Sequence, residues 1–235
     1  MATKVGNLGV NVDRRTLIWG GVGLGVVVLA GGAYMTWFSG DSYAPTFSSG
    51  TSVPMADLMA PGQFEDRVLG KADAPVTIIE YASMTCPHCA HFSVETFPKL
   101  KSRYIDTGKV RYIFREYPLD LLAATASLVA RCAEPEKFYP LIDVMFETQY
   151  QWARTPAQAL PALYGLVRQA GFTEDAFKTC VNDREAMQKL QVEHERATTK
   201  FGINSTPTFF INGKRIAGAI SIEELDKEIQ PYLKS

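Results

Sequence analysis

The chain has 235 residues, 46% of them hydrophobic, and its 24 basic and 25 acidic side chains leave a formal net charge of −1. This composition is that of an ordinary globular protein, and the balanced charge gives no support for a nucleic-acid-binding surface. Its four cysteines are too few for a small scaffold held together by disulfides. Two of them are close in sequence and two are far apart, which indicates one local and one distant pair.

The first predicted element is the uncharged run Leu17–Phe38. As a helix it would reach about 33 Å, which is enough to cross a bilayer. Arg14 and Arg15 precede it, and because positive charge tends to stay in the cytoplasm, the rest of the chain is expected to be exported. We therefore predict a cytoplasmic stub over residues 1–16 and a transmembrane anchor over residues 17–38.

A cleaved export signal is the alternative for this segment. Arg14-Arg15 before apolar residues resembles a twin-arginine signal, and Gly31-Gly32-Ala33 offers a small-x-small cleavage site near residue 33. A buried helix of a soluble domain is disfavoured, because so long an uncharged run is rare inside a small domain. Both the anchor and the signal place the folded part outside the cytoplasm, where disulfides persist.

Residues 39–62 are rich in Ser, Gly, Pro and Thr. Such a composition is typical of flexible connections. We predict a linker or a loosely packed arm over this segment, which leads into the folded part of the chain.

A β–α–β unit follows the linker. The β-branched run Val76–Tyr81 predicts a strand. A helix is expected to begin near Cys86 or Pro87, because proline is tolerated at a first helical position. Pro98 should kink this helix, since proline lacks a backbone N–H. Val110–Phe114 predicts the second strand.

Residues 119–201 are predicted to form a helical block. Their apolar side chains recur at the three- and four-residue spacing that is typical of helices packed on a core. One such series comprises Leu121, Ala124, Leu128 and Cys132.

The last elements are a hairpin and a helix. The runs Thr208–Ile211 and Lys214–Ile216 predict two strands, and Asn212-Gly213 between them is a strong hairpin signal. A helix over Ser221–Gln230 should open with a capping box between its Ser221 and Glu224 side chains. Because proline disfavours helix continuation, this helix is expected to end at Pro231.

The closely spaced cysteines, Cys86 and Cys89, lie at the start of the first predicted helix. A thiolate rather than a thiol attacks a disulfide. The unpaired N–H groups and the positive end of the dipole at a helix start stabilise a thiolate at Cys86. His88 would add to this effect if it is charged or donates a hydrogen bond. Cys89, one turn further on, can close a disulfide with Cys86.

At these residues the sequence resembles the DsbA-like thiol oxidases of the thioredoxin superfamily. The tetrapeptide Cys86-Pro87-His88-Cys89, directly after the predicted strand, is similar to the active-site segment of that family. Thr206-Pro207, before the hairpin, is similar to its cis-proline loop. The resemblance extends over residues 64–233.

The resemblance implies an α/β, thioredoxin-like fold with an inserted helical domain. Residues 63–118 would supply β–α–β and residues 202–235 would supply β–β–α. Residues 119–201 would form the inserted domain between these two parts.

The resemblance also implies a role for each site residue. Cys86 would be the exposed nucleophile and Cys89 the buried resolving thiol. Thr206 and a cis Pro207 would shape the groove that binds substrate peptides. An acid at the position of Glu80 is often buried near the resolving cysteine in this family. The residues that tune the redox potential would then be Pro87, His88 and Glu80.

The distant cysteines, Cys132 and Cys180, fall on apolar helical stripes, which is compatible with two buried thiols and with a disulfide. Export favours a structural disulfide, and some branches of the family carry such an extra pair. A zinc site that joins the Cys86–Cys89 motif to His91 and Cys132 is disfavoured, because a second Cys-x-x-Cys or His-x-x-His is missing.

The function implied by the resemblance is that of a periplasmic thiol:disulfide oxidoreductase that introduces disulfides into exported proteins. Its partners would be unfolded or folding exported chains and, for reoxidation, a quinone-linked membrane oxidase. No metal or organic cofactor is expected besides the redox-active Cys86–Cys89 disulfide. The alternatives are a disulfide isomerase or reductase on the same fold and a non-catalytic, peptide-binding or chaperone-like module.

Overall fold

The computed structural model describes residues 50–153 and 156–233. A mixed five-stranded β-sheet forms the centre of this part of the chain. The strands are β1 (Arg67–Leu69), β2 (Val76–Ala82), β3 (Val110–Glu116), β4 (Thr208–Ile211) and β5 (Lys214–Ala217). Their order in the sheet is β1-β3-β2-β4-β5. β2 and β3 are parallel, and the other neighbouring pairs are antiparallel.

The central strand β2 positions the cysteine motif that follows it. Its side chains are buried except for the half-buried Thr77, because the sheet is covered on both faces. β2 and β3 confirm the predicted strands, and each extends beyond the predicted C-terminal end. β1 was not predicted. It is a three-residue edge strand, and so short a run shows no detectable period.

The predicted linker over residues 39–62 is wrong for residues 50–62, which pack on the folded unit. Leu58 belongs to a short helix, α1 (Met55–Leu58), and is buried together with Val53. The Val53 N–H donates a hydrogen bond to the Gly213 carbonyl at 2.9 Å. A few apolar side chains are therefore enough to fix a segment whose overall composition is typical of linkers. Residues 39–49 lie outside the described residues.

The helix after β2 begins at Pro87, as predicted. Regular α-helical hydrogen bonding is interrupted on both sides of Pro98, where a kink was predicted, because proline has no N–H to donate. The helix consists of α2 (Pro87–His91), a π-helical segment (Phe92–Thr96), α3 (Phe97–Leu100) and a second π-helical segment (Lys101–Ile105).

Within the described residues, helices and turns alone connect β3 to β4, as the apolar spacing predicted. Phe138 and Met145 from these helices share one hydrophobic core with Phe114 of β3. The helices and the sheet belong to one compact unit, so the division into a thioredoxin-like and an inserted domain stays a prediction. The helices are α4 (Leu121–Arg131), α5 (Phe138–Glu147), α6 (Gln149–Trp152), α7 (Pro156–Val167), α8 (Glu174–Val181) and α9 (Arg184–Phe201), with 3-10 turns at Pro135–Lys137 and Arg168–Ala170.

β4 and β5 form the predicted hairpin. Its turn residues Asn212 and Gly213 have φ angles of 45° and 90°, which is the conformation that Asn-Gly favours. A Cβ atom at position 213 would lie 2.4 Å from the backbone oxygen of Val53. Glycine is therefore required there both for its backbone conformation and for space.

The last helix, α10, spans Ile222–Leu233. Its capping box is confirmed, because the Glu224 N–H donates to Ser221 Oγ at 3.2 Å and the Ser221 N–H donates to the Glu224 carboxylate at 2.9 Å. The predicted end at Pro231 is wrong, since the helix includes this residue. Pro231 lies in the last turn, where its missing N–H removes a single helical hydrogen bond.

The predicted cytoplasmic stub (1–16) and the predicted anchor or signal (17–38) lie outside the described residues. None of the helices within the described residues combines the length and the apolar character that a membrane crossing requires. The two alternatives for the N-terminal segment therefore stay predictions.

Candidate redox site

Cys86 lies at the junction between β2 and α2 and is the N-cap of α2. Its carbonyl accepts a helical hydrogen bond from the Ala90 N–H, and its own N–H donates to the Ser83 carbonyl, both at 3.1 Å. Pro87 occupies the first helical position, where an N–H would have no helical partner. The N–H groups of His88 and Cys89, which also lack helical partners in the first turn, face the Cys86 sulfur.

The sulfur of Cys86 is surrounded by groups that stabilise its anion. The strongest effect is a hydrogen bond from the Cys89 thiol, and the Thr206 side chain and the backbone N–H groups of Cys89 and His88 add to it. Burial alone would raise the pKa of Cys86, but the hydrogen bonds outweigh burial and lower this pKa to about 5. Cys86 is therefore a thiolate at neutral pH. In its protonated form, it donates to the Thr206 carbonyl 3.3 Å away.

Cys89 differs from Cys86 in its protonation state. Burial raises the pKa of Cys89, and the hydrogen bond to Cys86 and the charge of Glu80 raise it further. Cys89 therefore stays a thiol and serves as the donor to the Cys86 thiolate. Its predicted burial is confirmed, with 0% of the residue exposed.

The predicted exposure of Cys86 is wrong, because only 6% of the residue is exposed. The loop that contains Thr206 and Pro207, both buried, lies against its sulfur. The side of the Cys86 sulfur that faces this loop is therefore covered by protein rather than by solvent.

Glu80 lies on β2 and is 2% exposed. Burial raises the pKa of this carboxyl to about 8, although the Tyr112 hydroxyl donates a hydrogen bond to it. The charge of Cys86 raises the pKa of Glu80, and the charge of Glu80 raises that of Cys89. The structure thus brings Glu80 within electrostatic reach of both cysteines, in agreement with the placement that the resemblance implies.

Pro87 and His88 are exposed at the surface of the motif. His88 supports the Cys86 thiolate through its backbone N–H. The predicted effect of the His88 side chain, and the tuning of the redox potential by Pro87 and His88, stay predictions.

The loop before β4 faces the cysteines. Its Thr206–Pro207 peptide bond is cis, as the resemblance implies. Among the described residues, the buried Oγ1 of Thr206 has no hydrogen-bond partner, although the Thr206 side chain is one of the groups that lower the pKa of Cys86. The predicted role of Thr206 and Pro207 in peptide binding is not tested by this geometry and stays a prediction.

Cys132 and Cys180 form a disulfide, with their Cα atoms 6.1 Å apart, a usual separation for such bonds. The disulfide joins the C-terminal end of α4 to α8 and therefore lies within the helical block. Cys132 is thus not a partner of the Cys86–Cys89 motif. No cluster of three or more candidate metal ligands occurs in the part of the chain that the structure describes.

Two contacts between the helical block and the motif have no counterpart among the predicted site residues. The Thr85 hydroxyl donates to Asp120 at 2.6 Å, and the Gln149 side chain donates to the carbonyl of Cys86 at 3.1 Å. Asp120 does have a local signal, because an aspartate before an apolar helical run is a typical N-cap, and it caps α4. Gln149 has none, because it is 63 positions from Cys86 and only the fold brings it there.

A cysteine pair at the start of a helix, after the central strand of the sheet and opposite a cis-proline, defines a thioredoxin-fold protein with a dithiol site. A family model described as Thioredoxin matches residues 63–231. Alpha-DsbA1 from Wolbachia pipientis, known from a crystal structure, has 32% sequence identity to this chain. The two structures match with a TM-score of 0.70, and the match covers 76% of this chain and 96% of that one. The chain belongs to the thioredoxin family and, within it, to the DsbA-like proteins.

Other relatives agree with this assignment. BdbD from Bacillus subtilis, solved in its oxidised form, is 26% identical with a TM-score of 0.64, over 81% of this chain and 100% of that one. A protein from Rickettsia bellii, named putative protein-disulfide oxidoreductase, is 33% identical over 63% of this chain and 57% of the relative. The matched part of the chain spans between 57% and 62% of the length of the Rickettsia relatives.

Proposed function

We propose that this chain is a thiol:disulfide oxidoreductase that introduces disulfides into exported proteins in the periplasm. The proposal rests on the unequal cysteine pair, in which a Cys86 thiolate with a pKa of about 5 accepts a hydrogen bond from a protonated Cys89. A stabilised thiolate favours the reduced form, so the disulfide form readily accepts electrons. Relatives named protein-disulfide oxidoreductase and disulfide bond formation protein D support this function.

The first step is the attack of a client thiolate on the Cys86 sulfur of the Cys86–Cys89 disulfide. A bond forms between the client sulfur and Cys86, and the bond between Cys86 and Cys89 breaks. Cys89 leaves as a thiolate and takes up a proton, because its pKa is raised in the reduced form. Glu80 can supply this proton, since a carboxyl with a pKa of about 8 is protonated at neutral pH.

The second step releases the oxidised client. Its second thiolate attacks the client sulfur of the mixed disulfide, and Cys86 leaves as a thiolate. Two electrons have then moved from the client dithiol to the cysteine pair, and the client has gained a disulfide. The low pKa of Cys86 favours this step, because a sulfur of low pKa is a better leaving group.

The reduced pair must then be oxidised again. We propose that a quinone-linked oxidase of the membrane takes the two electrons from Cys86 and Cys89. An anchor over residues 17–38 would keep the domain near this partner. Unfolded clients would be held by backbone contacts beside Pro207, next to the nucleophile.

A redox titration against glutathione tests the direction of the reaction. We expect a reduction potential more oxidising than about −200 mV, compared with about −270 mV for thioredoxin, a reductant. A value close to that of thioredoxin would contradict the proposed oxidase and favour a reductase. The Cys86→Ala variant is the control, because it cannot form the disulfide.

Trapping of clients tests whether exported proteins are the substrates. The Cys89→Ala variant should accumulate mixed disulfides at Cys86 in the periplasm, because it lacks the internal thiol that would resolve them. The Cys86→Ala variant should trap none. Faster repair of scrambled disulfides than oxidation of reduced peptides by the wild type would instead support an isomerase.

A further inference from the structure

The turn before the redox helix is held by a side chain from the helical block. Gln149, on α6, is 9% exposed, and its Nε2 donates to the carbonyl of Met84 at 2.9 Å and to the carbonyl of Cys86 at 3.1 Å. One amide group thus binds the backbone on both sides of Thr85. Met84 is fully buried, so its carbonyl depends on a protein donor rather than on solvent.

The helix that carries Gln149 is itself fixed in place. Trp152, one turn after Gln149, is 1% exposed, and its indole N–H donates to the Met145 carbonyl of α5 at 2.7 Å. The amide of Gln149 is therefore presented to the turn by a short helix that is anchored in the core. A buried amide held in this way can fix the position of the carbonyls that it binds.

We propose that Gln149 is a positioning residue that holds the Met84–Cys86 turn in the conformation that stabilises the Cys86 thiolate. Gln149 acts through the backbone, since it binds the Cys86 carbonyl and not the sulfur. By fixing this carbonyl at the N-cap, it keeps the N–H groups of His88 and Cys89 directed at the sulfur. The inference extends the proposed function, because it assigns control of the redox pair to the helical block.

Removal of this donor has two expected consequences. The Met84 carbonyl would be left buried without the donor that binds it, so the turn would shift to find another partner. The N–H groups of the first helical turn would then point less directly at Cys86, and the thiolate would be less stable. The pKa of Cys86 should rise, and the disulfide form should become a weaker oxidant.

Gln149→Met tests the proposal, because methionine has a similar length and no donor. The pKa of Cys86 is measured in the reduced protein from the pH dependence of the thiolate absorbance at 240 nm. We expect it to rise by about 0.5. The equilibrium constant with glutathione should change by about threefold, or about 15 mV, towards a less oxidising pair. Gln151→Met, at an exposed position of the same helix, is the matched control and should leave both values unchanged.

A lower free energy of unfolding with an unchanged Cys86 pKa and glutathione equilibrium would overturn the proposal, because Gln149 would then be a packing residue only. If Gln149→Met does not fold, Gln149→Glu of the same shape replaces it. An ionised Glu cannot donate to the two carbonyls and should raise the Cys86 pKa further. A wild-type Cys86 that titrates as an ordinary thiol would instead contradict the proposed function. Failure of the Gln149 inference and failure of the proposed function therefore give different results.

Discussion

Two cysteines three positions apart have opposite pKa shifts, and this difference arises from their immediate surroundings. Cys86 accepts a hydrogen bond from the Cys89 thiol and faces N–H donors at a helix start, whereas Cys89, one turn on, is buried in the core near the carboxyl of Glu80. Charge is therefore stabilised on one sulfur and excluded from the other. An attacking or leaving thiolate at Cys86 and a protonated partner at Cys89 follow directly from this arrangement.

The reactivity of Cys86 should depend on pH in the way that its pKa dictates. Alkylation of the reduced protein by iodoacetamide should proceed at a nearly constant rate above about pH 6.5 and slow about tenfold per pH unit well below pH 5. Mass spectrometry should place the modification at Cys86, and the Cys86→Ala variant should lack the fast reaction. A rate that keeps rising tenfold per unit between pH 6 and pH 8 would show an ordinary thiol.

The raised pKa of Glu80 has a consequence for stability. Its pKa of about 8 in the native state exceeds the value of about 4.3 in an unfolded chain. The native state therefore holds a proton that the unfolded state lacks between these two values. The contribution of Glu80 to stability is fully present below about pH 4.3 and is lost as the pH rises through about 8.

The Glu80→Gln variant lacks this titration. Relative to the wild type, its free energy of unfolding should increase with pH, by up to about 1.4 kcal/mol per unit between pH 5 and pH 8. Urea unfolding of the reduced proteins at four pH values measures this slope. The exposed Glu223→Gln substitution is the matched control, and a Glu80→Gln curve parallel to that of the wild type would contradict the assignment.

At the scale of elements, the site depends on two connections that local chemistry specifies. β2 ends directly before the turn that presents Cys86, and Pro87 allows the helix to begin there. Asn212-Gly213 closes the hairpin of β4, and the Thr206–Pro207 loop precedes that strand. Residues 50–62 also contact this hairpin, since the Val53 N–H donates a hydrogen bond to the Gly213 carbonyl.

The packing of this N-terminal segment is tested by Leu58→Ala. Leu58 is fully buried in a cluster with Ile113 of β3 and Phe210 of β4, so its truncation should cost about 2–5 kcal/mol of stability. Denaturant unfolding measures the change, and the exposed Asp57→Ala, on the same helix, should change stability by less than about 0.5 kcal/mol. Equal stability of Leu58→Ala and the wild type would show that residues 50–62 are a loose arm after all.

At the scale of the whole molecule, the helical block both covers the sheet and holds the active-site turn. Asp120, Gln149 and their helices bind the segment from Thr85 to Cys86. The Cys132–Cys180 disulfide lies elsewhere in this block and links α4 to α8. We therefore expect the stability of the block and the chemistry of the redox pair to depend on different contacts.

Replacement of the structural disulfide should separate these two properties. The double variant Cys132→Ala and Cys180→Ala should lose about 2–4 kcal/mol of stability, because its unfolded chain is less restricted. The pKa of Cys86, followed by thiolate absorbance, should stay that of the wild type. A large change in this pKa would show that the disulfide, and not only the contacts of Gln149, influences the redox pair.

The sequence by itself determined those features that depend on neighbours in the chain. The β2 strand, the helix start at Pro87, the Asn212-Gly213 turn and the capping box at Ser221 all follow from local backbone preferences. The same local rules failed for the end of α10, since one lost hydrogen bond at Pro231 did not outweigh the packing of the last turn.

Only the tertiary structure decided which distant residues meet. It paired Cys132 with Cys180, placed Thr206 against Cys86, and brought Gln149 to the active-site turn. It also buried Val53 and Leu58, which belong to a segment whose composition is that of a linker. These contacts join residues that are far apart in the chain, so their energy comes from packing and burial across the whole fold. A periodicity or a short motif carries no information about such a partner.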